Sequence, residues 1–531
     1  MRLSLLLACL FSLSLFGQGD RPNILLIIAD DLGVDRLNGY HASGLLATTP
    51  TLDSLRGVGL TFTNAFAAPK CTPTRAAIMS GKYGIKTGVL GTPGDLSLSH
   101  TSVFKELATQ TDDAYADALI GKWHLSQPAS PQAPLDHGAD YYMGFLGASP
   151  ESYFAWSKTE NGTTSESTEY ATSTFTDAAI DWVGDQGEDP WFLWLAHAAP
   201  HAPFHVPPAG TYSISPTNGR VRQYVAMVEN LDFEINRLLQ SLTPAVRENT
   251  LVIFVGDNGT PGNVMQDYPA GHGKSTLYQG GVRVPMIITG KGVTRQGERE
   301  EALVHVADLH ATILAAAGAE LPGGLFNSLS FLPLLSDASP STPTRQYNYS
   351  ELNDAGNTGF TIREQRYKLI EFADGAQEFY DLQLDSFEVN NLLPAGLTTE
   401  QTSILANLEA EAAVIRSGWS CRDFIQNGEE SGIDCGTDAC GACTTSTLEN
   451  TVGIGVKAYP NPSTGRLTVE VVETTITQLS VFDIQGKLLG HYPGRNSNTL
   501  SLDLTHLGQQ LLHLRIATEQ GAVCRKIVLR E

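Results

Sequence analysis

Two seven-residue apolar runs constrain the fold of this chain more than any other feature. NILLIIA occupies residues 23–29 and TLVIFVG occupies residues 250–256. Continuous apolar runs rich in β-branched residues predict strands that are buried on both faces of a sheet. Shorter runs predict further strands at 118–120 and 191–196. A helix is predicted from one apolar face, formed by Val221, Val225, Val228, Leu231, Ile235, Leu238 and Leu242. The chain therefore predicts an α/β domain with a large, mostly parallel sheet flanked by helices.

Polar residues follow both long apolar runs. Asp30 and Asp31 come directly after the first run, and Asp257 and Asn258 come directly after the second. Ligands of parallel sheets bind outside the carboxyl ends of the strands, so these four side chains are expected at one site. Hard oxygen ligands suit calcium or magnesium better than zinc or copper. Each pair alone is also typical of loop acids that cap helices, but two pairs at matching strand ends favour a metal site.

The stretch KCTPTRAAIMSGKYGIKTG, residues 70–88, combines a thiol, a guanidinium and a predicted helix start. Cys71, Pro73 and Arg75 form C-x-P-x-R, and Pro73 is well suited to a loop that turns into a helix. The helix N-terminus and the guanidinium both favour an anion beside the thiol. Cys71 either performs chemistry there or is a small buried apolar residue, as many lone cysteines are.

Two further segments carry cations that are candidates for an anion site. In GKWHLS, Lys122 and His124 are two residues apart, so on an extended segment both side chains point the same way. In GHGKSTLYQGG, Lys274 precedes a glycine-rich turn; the alternative is a solvated lysine in a flexible loop.

The segment AHAAPHAPFH spaces three histidines at intervals of four residues, as a helical zinc site would. Pro200 and Pro203 break such a helix, and the glutamate of the metalloprotease motif is missing from the segment. We therefore reject zinc for His197, His201 and His205.

These motifs, in their order along residues 21 to about 418, resemble the sulfatase family. The C-x-P-x-R pattern is complete, G-K-W-H is present, and Pro-His-Ala-Pro places His201 at the family's substrate-facing histidine. The G-K-x-x-x-Y-E-G-G block is matched around Lys274, with Gln279 in place of the glutamate, a departure expected to alter the support of that loop. The resemblance implies an alkaline-phosphatase-like fold and an enzyme that hydrolyses sulfuric esters.

The resemblance also implies the roles of the site residues. Cys71 is expected to be oxidised to formylglycine (3-oxoalanine) by a formylglycine-generating enzyme before the chain folds. A divalent metal, calcium or else magnesium, is expected to bind the modified residue and four others, which are Asp30, Asp31, Asp257 and Asn258. The catalytic residues implied are Cys71, Arg75, Lys122, His124, His201 and Lys274.

The length of 531 residues exceeds what one hydrophobic core supports, so several domains are expected. The predicted segments are a signal peptide (1–19), a catalytic domain (20–345), an antiparallel α+β subdomain (346–418), a cysteine-rich module (419–445) and a small β-sandwich (452–531). YPNPSTG and the final KIVL make the sandwich resemble a type IX secretion sorting domain. A generic carbohydrate-binding sandwich is the alternative.

The cysteine-rich module carries Cys421, Cys435, Cys440 and Cys443, which are expected to form disulfides after export. Three pairings are possible, and the sequence does not choose among them. Cys524 is left without a partner.

The formal charge of −23 argues against nucleic acid and against an anionic membrane surface as partners. An acidic protein acting on an anionic ester must concentrate its cations locally, and Lys70, Arg75, Lys82 and Lys86 lie in one short stretch. The leader's apolar run is too short to span a bilayer. We expect a secreted or cell-surface protein, without a membrane span, that acts on sulfated carbohydrate. The alternatives are a phosphodiesterase or phosphonate hydrolase of the same fold and a sulfoglycan-binding protein that never receives the aldehyde.

Overall fold

The computed structural model describes residues 21–416 and 456–530, with gaps at 41–42, 127–128, 216, 320, 322–326, 341–343, 355–357, 460–462, 472–473, 484–487, 508–510 and 519–520. The predicted signal peptide (1–19) and cysteine-rich module (419–445) lie outside the described residues. The chain divides into two compact units, Met1–Gly418 and Trp419–Glu531.

In its described part, the first unit is built on a ten-stranded mixed sheet. The strands are β1 (Asn23–Ala29), β2 (Leu60–Phe66), β3 (Ala116–Lys122), β4 (Tyr141–Phe145), β5 (Trp156–Glu160), β6 (Thr163–Ser167), β7 (Trp191–His197), β8 (Thr250–Gly256), β9 (Met286–Gly290) and β10 (Glu298–His305). Their order across the sheet is β10-β2-β9-β8-β1-β7-β3-β4-β5-β6. The predicted buried strands are confirmed as β1, β3, β7 and β8.

The five central strands, β8, β1, β7, β3 and β4, are all parallel. The register places Ala29 opposite His197 on one side and opposite Gly256 on the other. Strands β1, β7 and β8 therefore end at the same level, and the residues that follow them emerge side by side. This edge of the sheet is where a ligand of a parallel sheet is expected.

Helices cover both faces of the large sheet. They are α1 (Pro50–Val58), α2 (Cys71–Ser80), α3 (Gly84–Thr87), α4 (Val103–Thr111), α5 (Ala133–Asp136), α6 (Ala171–Asp185), α7 (Arg220–Ser241), α8 (Pro244–Glu248), α9 (Gln279–Val282) and α10 (Asp308–Ala316). Ile24 and Leu26 of β1 pack into a core with α2, α4 and α10. Leu25 and Ile27 pack into a second core with α1, α6 and α7. Burial on both faces explains why the strand is apolar at every position.

A small antiparallel sheet follows in the chain. It contains β11 (Asn348–Leu352), β12 (Gly359–Arg363), β13 (Tyr367–Phe372) and β14 (Gln377–Asp381), and the helix α11 (Thr399–Arg416) comes after it. Leu369 of β13 packs on one face with Leu408 of α11. Ile370 packs on the other face with Leu277, which belongs to the loop that carries Lys274. The small sheet is therefore positioned to support that loop.

Among its described residues, the second unit contains two antiparallel sheets. Its strands are β15 (Val456–Tyr459), β16 (Arg466–Val471), β17 (Ile476–Asp483), β18 (Leu488–Ser497), β19 (Thr499–Asp503), β20 (Leu511–Thr518) and β21 (Gly521–Val528). One sheet has the order β15-β16-β19 and the other β18-β17-β20-β21. Val469 of the first sheet and Val481 and Leu514 of the second belong to one apolar core. This packing confirms the predicted β-sandwich.

Membrane-spanning helices are not found in the described ranges, since no helix there is both long and apolar enough to cross a bilayer.

Candidate active site

The residues that follow β1 and β8 meet at the carboxyl edge of the sheet. The backbone N–H of Asp31 donates to Oδ1 of Asp257 over 3.0 Å, and Nδ2 of Asn258 donates to Oδ1 of Asp31 over 2.8 Å. Asp31 has a left-handed backbone (φ 71°), and its carbonyl accepts a hydrogen bond from the Tyr224 hydroxyl at 2.7 Å. The four residues predicted as metal ligands, Asp30 among them, are buried in this cluster.

The donor atoms of this cluster fit a hard divalent cation. Within the described chain, Oδ1 of Asp30 and Oδ1 of Asn258 are buried oxygens that receive no hydrogen bond. Buried acceptors of this kind normally have a partner. Burial and the neighbouring Asp30 raise the pKa of Asp257 to about 7, as expected where carboxylates crowd together. A bound calcium or magnesium ion would satisfy the free oxygens and relieve this repulsion.

Cys71 is the first residue of α2 and is 3% exposed. Its Sγ lies 3.3 Å from Nδ1 of His124. The hydroxyl of Thr72 also lies 3.3 Å from that ring. The thiol thus occupies a helix N-terminus, where the macrodipole favours negative charge, and it faces an imidazole.

Arg75 and Lys122 connect the helix α2 to the carboxylates. The guanidinium donates to Oδ2 of Asp257 over 3.0 Å and to the carbonyl of Lys122 over 2.9 Å, and it lies 3.4 Å from Oδ2 of Asp30. The Lys122 ammonium pairs with the same Asp30 oxygen. Burial alone would raise the pKa of Asp30, but Lys122, His201 and Arg75 hold it well below its ordinary value. Asp30 is therefore ionised.

The expectation that Lys122 and His124 leave one face of an extended segment is wrong at His124. Its backbone is left-handed (φ 57°), because the chain turns at the end of β3. Gly121 also has a positive φ of 115°, and a Cβ there would lie 2.0 Å from the carbonyl oxygen of Ala196. The turn directs Lys122 to Asp30 and His124 to Cys71. Burial, together with Lys122 and Arg75, lowers the pKa of His124 to about 2, so its ring is neutral.

Lys274 and His201 lie on the open side of the cluster, where their side chains are 15% and 16% exposed. The Lys274 ammonium is 2.5 Å from Oδ1 of Asp31, and Nε2 of His201 is 3.6 Å from Oδ2 of Asp31. Burial opposes the charge on Lys274, but Asp31 and Cys71 raise its pKa above the ordinary value. Nδ1 of His201 donates to the Ala202 carbonyl over 2.7 Å, which leaves Nε2 directed at the cluster. Burial lowers the pKa of His201.

Two lysines of the cationic stretch that starts at Lys70 have partners outside the cluster. Lys70 pairs with Asp354, and the Lys82 ammonium lies 3.4 Å from His100. Arg75 of that stretch touches the cluster. The other cations come from Lys122 and Lys274, which are distant in sequence.

The other two histidines of AHAAPHAPFH lie outside the cluster. His197 ends β7 in full burial beside Phe175, and burial lowers its pKa to about 3. His205 lies 3.0 Å from the Tyr170 hydroxyl. The segment from 198 to 206 forms turns and no helix, as its prolines predict.

Two supporting residues escaped the sequence reasoning. Thr72 lies inside the C-x-P-x-R motif, so the motif could have predicted that Thr72 is near the site. The hydroxyl of Tyr153 lies 2.8 Å from the carbonyls of both Ala198 and His201 and fixes the His201 loop. Nothing in the sequence around Tyr153 marks this role, because the contact depends on the fold.

With this geometry in place, comparison with known proteins decides the family. The sequence matches the sulfatase family over residues 22–319, more than half of the chain. The protein belongs to the sulfatase family. This sulfatase also matches the C-terminal region of N-sulphoglucosamine sulphohydrolase over residues 271–416 and a secretion system C-terminal sorting domain over residues 457–530. It is accordingly a sulfuric ester hydrolase that carries a type IX sorting domain.

Named relatives are similar over most of the first unit. N-acetylgalactosamine-6-sulfatase of Sus scrofa is 30% identical over 369 residues, covering 61% of this chain and 67% of the relative. Arylsulfatase A of Homo sapiens is 28% identical over 460 residues, covering 73% of this chain and 87% of the relative. The crystal structure of Ps i-CgsB in complex with k-i-k-neocarrahexaose has a TM-score of 0.65 and 25% identity, covering 75% of this chain and 93% of that one.

Proposed function

We propose that this sulfatase removes sulfate from carbohydrates, using a formylglycine made from Cys71 and a bound divalent metal. The observation that carries the proposal is the convergence of carboxylate, amide, guanidinium, ammonium and imidazole groups around one buried thiol. A carbohydrate substrate is supported by the relatives, because one is named for N-acetylgalactosamine and the similar solved structure holds a neocarrahexaose.

Residue 71 would supply the nucleophile. As a hydrated aldehyde it offers one hydroxyl to attack sulfur and a second whose loss of a proton releases sulfate. Calcium, or magnesium in its place, would be held by Asp30, Asp31, Asp257 and Asn258 and would supply positive charge beside the sulfate oxygens.

The cationic side chains would bind and orient the ester. Arg75 touches two of the carboxylates and lies four residues after residue 71 on α2, so it would orient that side chain. Lys122 pairs with Asp30 and Lys274 pairs with Asp31, so each ammonium is held by a different carboxylate of the cluster. Fixed ammonium groups of this kind stabilise the charge that spreads over the sulfuryl group in the transition state.

The two histidines would move the protons. His124 is neutral and 3.3 Å from Sγ of residue 71, so it is placed to take a proton from that side chain. His201 lies on the open side of the cluster and, with Lys274, would protonate the departing sugar oxygen.

Export is part of the proposal. A signal peptide at 1–19 and the matched sorting domain would direct the chain across the inner membrane and through type IX secretion, to the cell surface or the medium. Because Cys71 is buried in the folded protein, the formylglycine-generating enzyme would have to act before folding.

The test uses protein from a host that carries the modifying enzyme. A panel of N-acetylgalactosamine 6-sulfate, glucosamine 6-sulfate, galactose 6-sulfate and carrageenan oligosaccharides should show sulfate release, and mass spectrometry should find the aldehyde at residue 71. Cys71→Ala should abolish release and leave the melting temperature unchanged. Turnover by a protein that carries only a thiol at residue 71 would refute the mechanism. Faster hydrolysis of matched phosphate esters would instead identify a phosphodiesterase.

A further inference from the structure

The loop at 146–155 connects the surroundings of the two active-site histidines. It begins after β4, where the backbone N–H of His124 donates to the Leu146 carbonyl over 3.1 Å. Near its other end is Tyr153, whose hydroxyl is 2.8 Å from the His201 carbonyl. The loop is therefore anchored at both ends to residues that hold the histidines.

An aromatic cluster stands at the end of this loop. The Phe154 ring lies 4.9 Å from the ring of Tyr170 and 5.5 Å from that of His205, between centroids. The His205 ring in turn lies 4.4 Å from that of Tyr153. Phe154 is held in a tight turn, because its N–H donates to the Ser152 hydroxyl over 3.1 Å.

Phe154 is nevertheless 42% exposed, whereas Tyr153 is buried. Single exposed apolar residues are common on protein surfaces and need no explanation. Phe154 differs because its ring is fixed by Tyr170 and His205. It also directly follows Tyr153, whose hydroxyl contacts the His201 carbonyl. One part of the ring packs inward while the rest is open to a ligand.

We propose that Phe154 stacks against a pyranose ring of the substrate and makes the site selective for sulfated carbohydrate. This inference rests on the proposed function, since the departing oxygen belongs to a sugar only if the ester is a carbohydrate sulfate. The C–H bonds of a pyranose pack against the face of an aromatic ring, which gives affinity and orientation without charge.

The experiment compares Phe154→Ala with Phe233→Ala, a matched control on α7 where the phenylalanine is 37% exposed and outside the site. For the sugar of the panel with the highest kcat/KM, Phe154→Ala should raise KM roughly tenfold, the loss expected for one aromatic contact, with kcat within about twofold. Inorganic sulfate fills only the anion cluster, so its inhibition constant should not change. Phe154→Tyr should restore KM, and Phe233→Ala should behave as the wild type.

Binding separates this inference from the proposed function. In the inactive Cys71→Ala background, the panel sugars should bind roughly tenfold more weakly when Phe154 is also replaced by alanine. Equal affinity of Cys71→Ala and of the double variant Cys71→Ala/Phe154→Ala would overturn the proposed stacking by Phe154, even if sulfate esters are cleaved. An equal rise in KM for Phe233→Ala would overturn it too. A protein that cleaves no sulfate ester refutes the proposed function. In that case, an affinity for the sugars that depends on Phe154 would still support the stacking contact.

Discussion

Charge balance at the site depends on a few side chains. Asp30, Asp31 and Asp257 oppose Arg75, Lys122 and Lys274, so the protein groups nearly neutralise one another. A divalent cation would turn this balance into a net positive charge, which a sulfate ester requires. In the proposed function the carboxylates would therefore hold the metal cation, and the lysines and Arg75 would hold the substrate.

Lys274 provides the clearest test of substrate binding by these cations, because its side chain is at the open side of the cluster. Lys274→Met nearly keeps the length of the side chain and removes its charge. The value of kcat/KM should fall on the order of 10²–10³-fold. Steady-state kinetics on the panel sugar with the highest kcat/KM measures this fall. Lys291→Met changes an exposed lysine elsewhere and should have no effect. A loss below tenfold for Lys274→Met would remove this residue from the catalytic set.

Metal binding should be visible without turnover. A ligand that binds only the folded state stabilises it, by about 2.7 kcal/mol at a hundred times its Kd. Adding calcium to protein stripped with EDTA should therefore raise the melting temperature by several degrees. Asp257→Asn keeps the acceptor for the Asp31 N–H but loses a ligand charge, and its calcium shift should be much smaller. An equal shift in both proteins would place the cation elsewhere.

At the scale of elements, the small antiparallel sheet supports the Lys274 loop through one buried ion pair. Nζ of Lys368 donates to Oε1 of Glu388 over 2.5 Å and to the Leu277 carbonyl over 2.8 Å. The other Glu388 oxygen accepts the N–H of Gln279, again over 2.5 Å. Burial lowers the pKa of Lys368 to about 8, and Glu388 partly offsets this. The ion pair therefore holds the loop through Leu277 and Gln279, the residues on either side of Tyr278.

Breaking the ion pair between Lys368 and Glu388 should destabilise the protein and lower its activity. Glu388→Gln leaves the buried Lys368 without its counter-charge and should cost about 3 kcal/mol in the free energy of unfolding, measured in urea. The value of kcat/KM should fall with it, because the loop no longer fixes Lys274. The exposed pair of Glu371 and Arg416 is the control, and Glu371→Gln should cost less than about 1 kcal/mol. Equal, small losses in both variants would show that the ion pair does not support the loop.

Elements also show how far sequence reasoning reaches. Strands β1 and β8 were predictable because burial on both faces imprints an uninterrupted apolar run on the chain. The adjacency of β1 and β8 in the sheet was not predictable, because it depends on pairing between segments that are distant in sequence. The same holds for the antiparallel strand β9, which lies between β8 and β2. The proposed metal ligands directly follow strand ends, so their proximity could be predicted from the sequence. The turn at His124 and the anchoring of His201 by Tyr153 could not be predicted, because they depend on neighbouring strands and loops.

At the scale of the whole molecule, the chain consists of two units with separate cores. The apolar core of the sandwich is formed by residues between 467 and 529, and every proposed site residue lies between 30 and 274. A net charge of −23 repels a sulfated polymer at long range, so attraction to the site must come from the local cation cluster. Chemistry and export are thus assigned to different parts of the chain.

This separation predicts that catalysis survives removal of the second unit. A chain ending at residue 418 keeps both cores of the large sheet, the small sheet and α11, so its kcat and KM should stay within about twofold of the full chain. Its export should be lost, since the sorting domain is gone, and it should accumulate inside cells that secrete the intact protein. Kinetics on purified protein and fractionation of the producing cells measure the two effects. A truncated protein that folds, carries the aldehyde and is still inactive would show that the second unit contributes to the site.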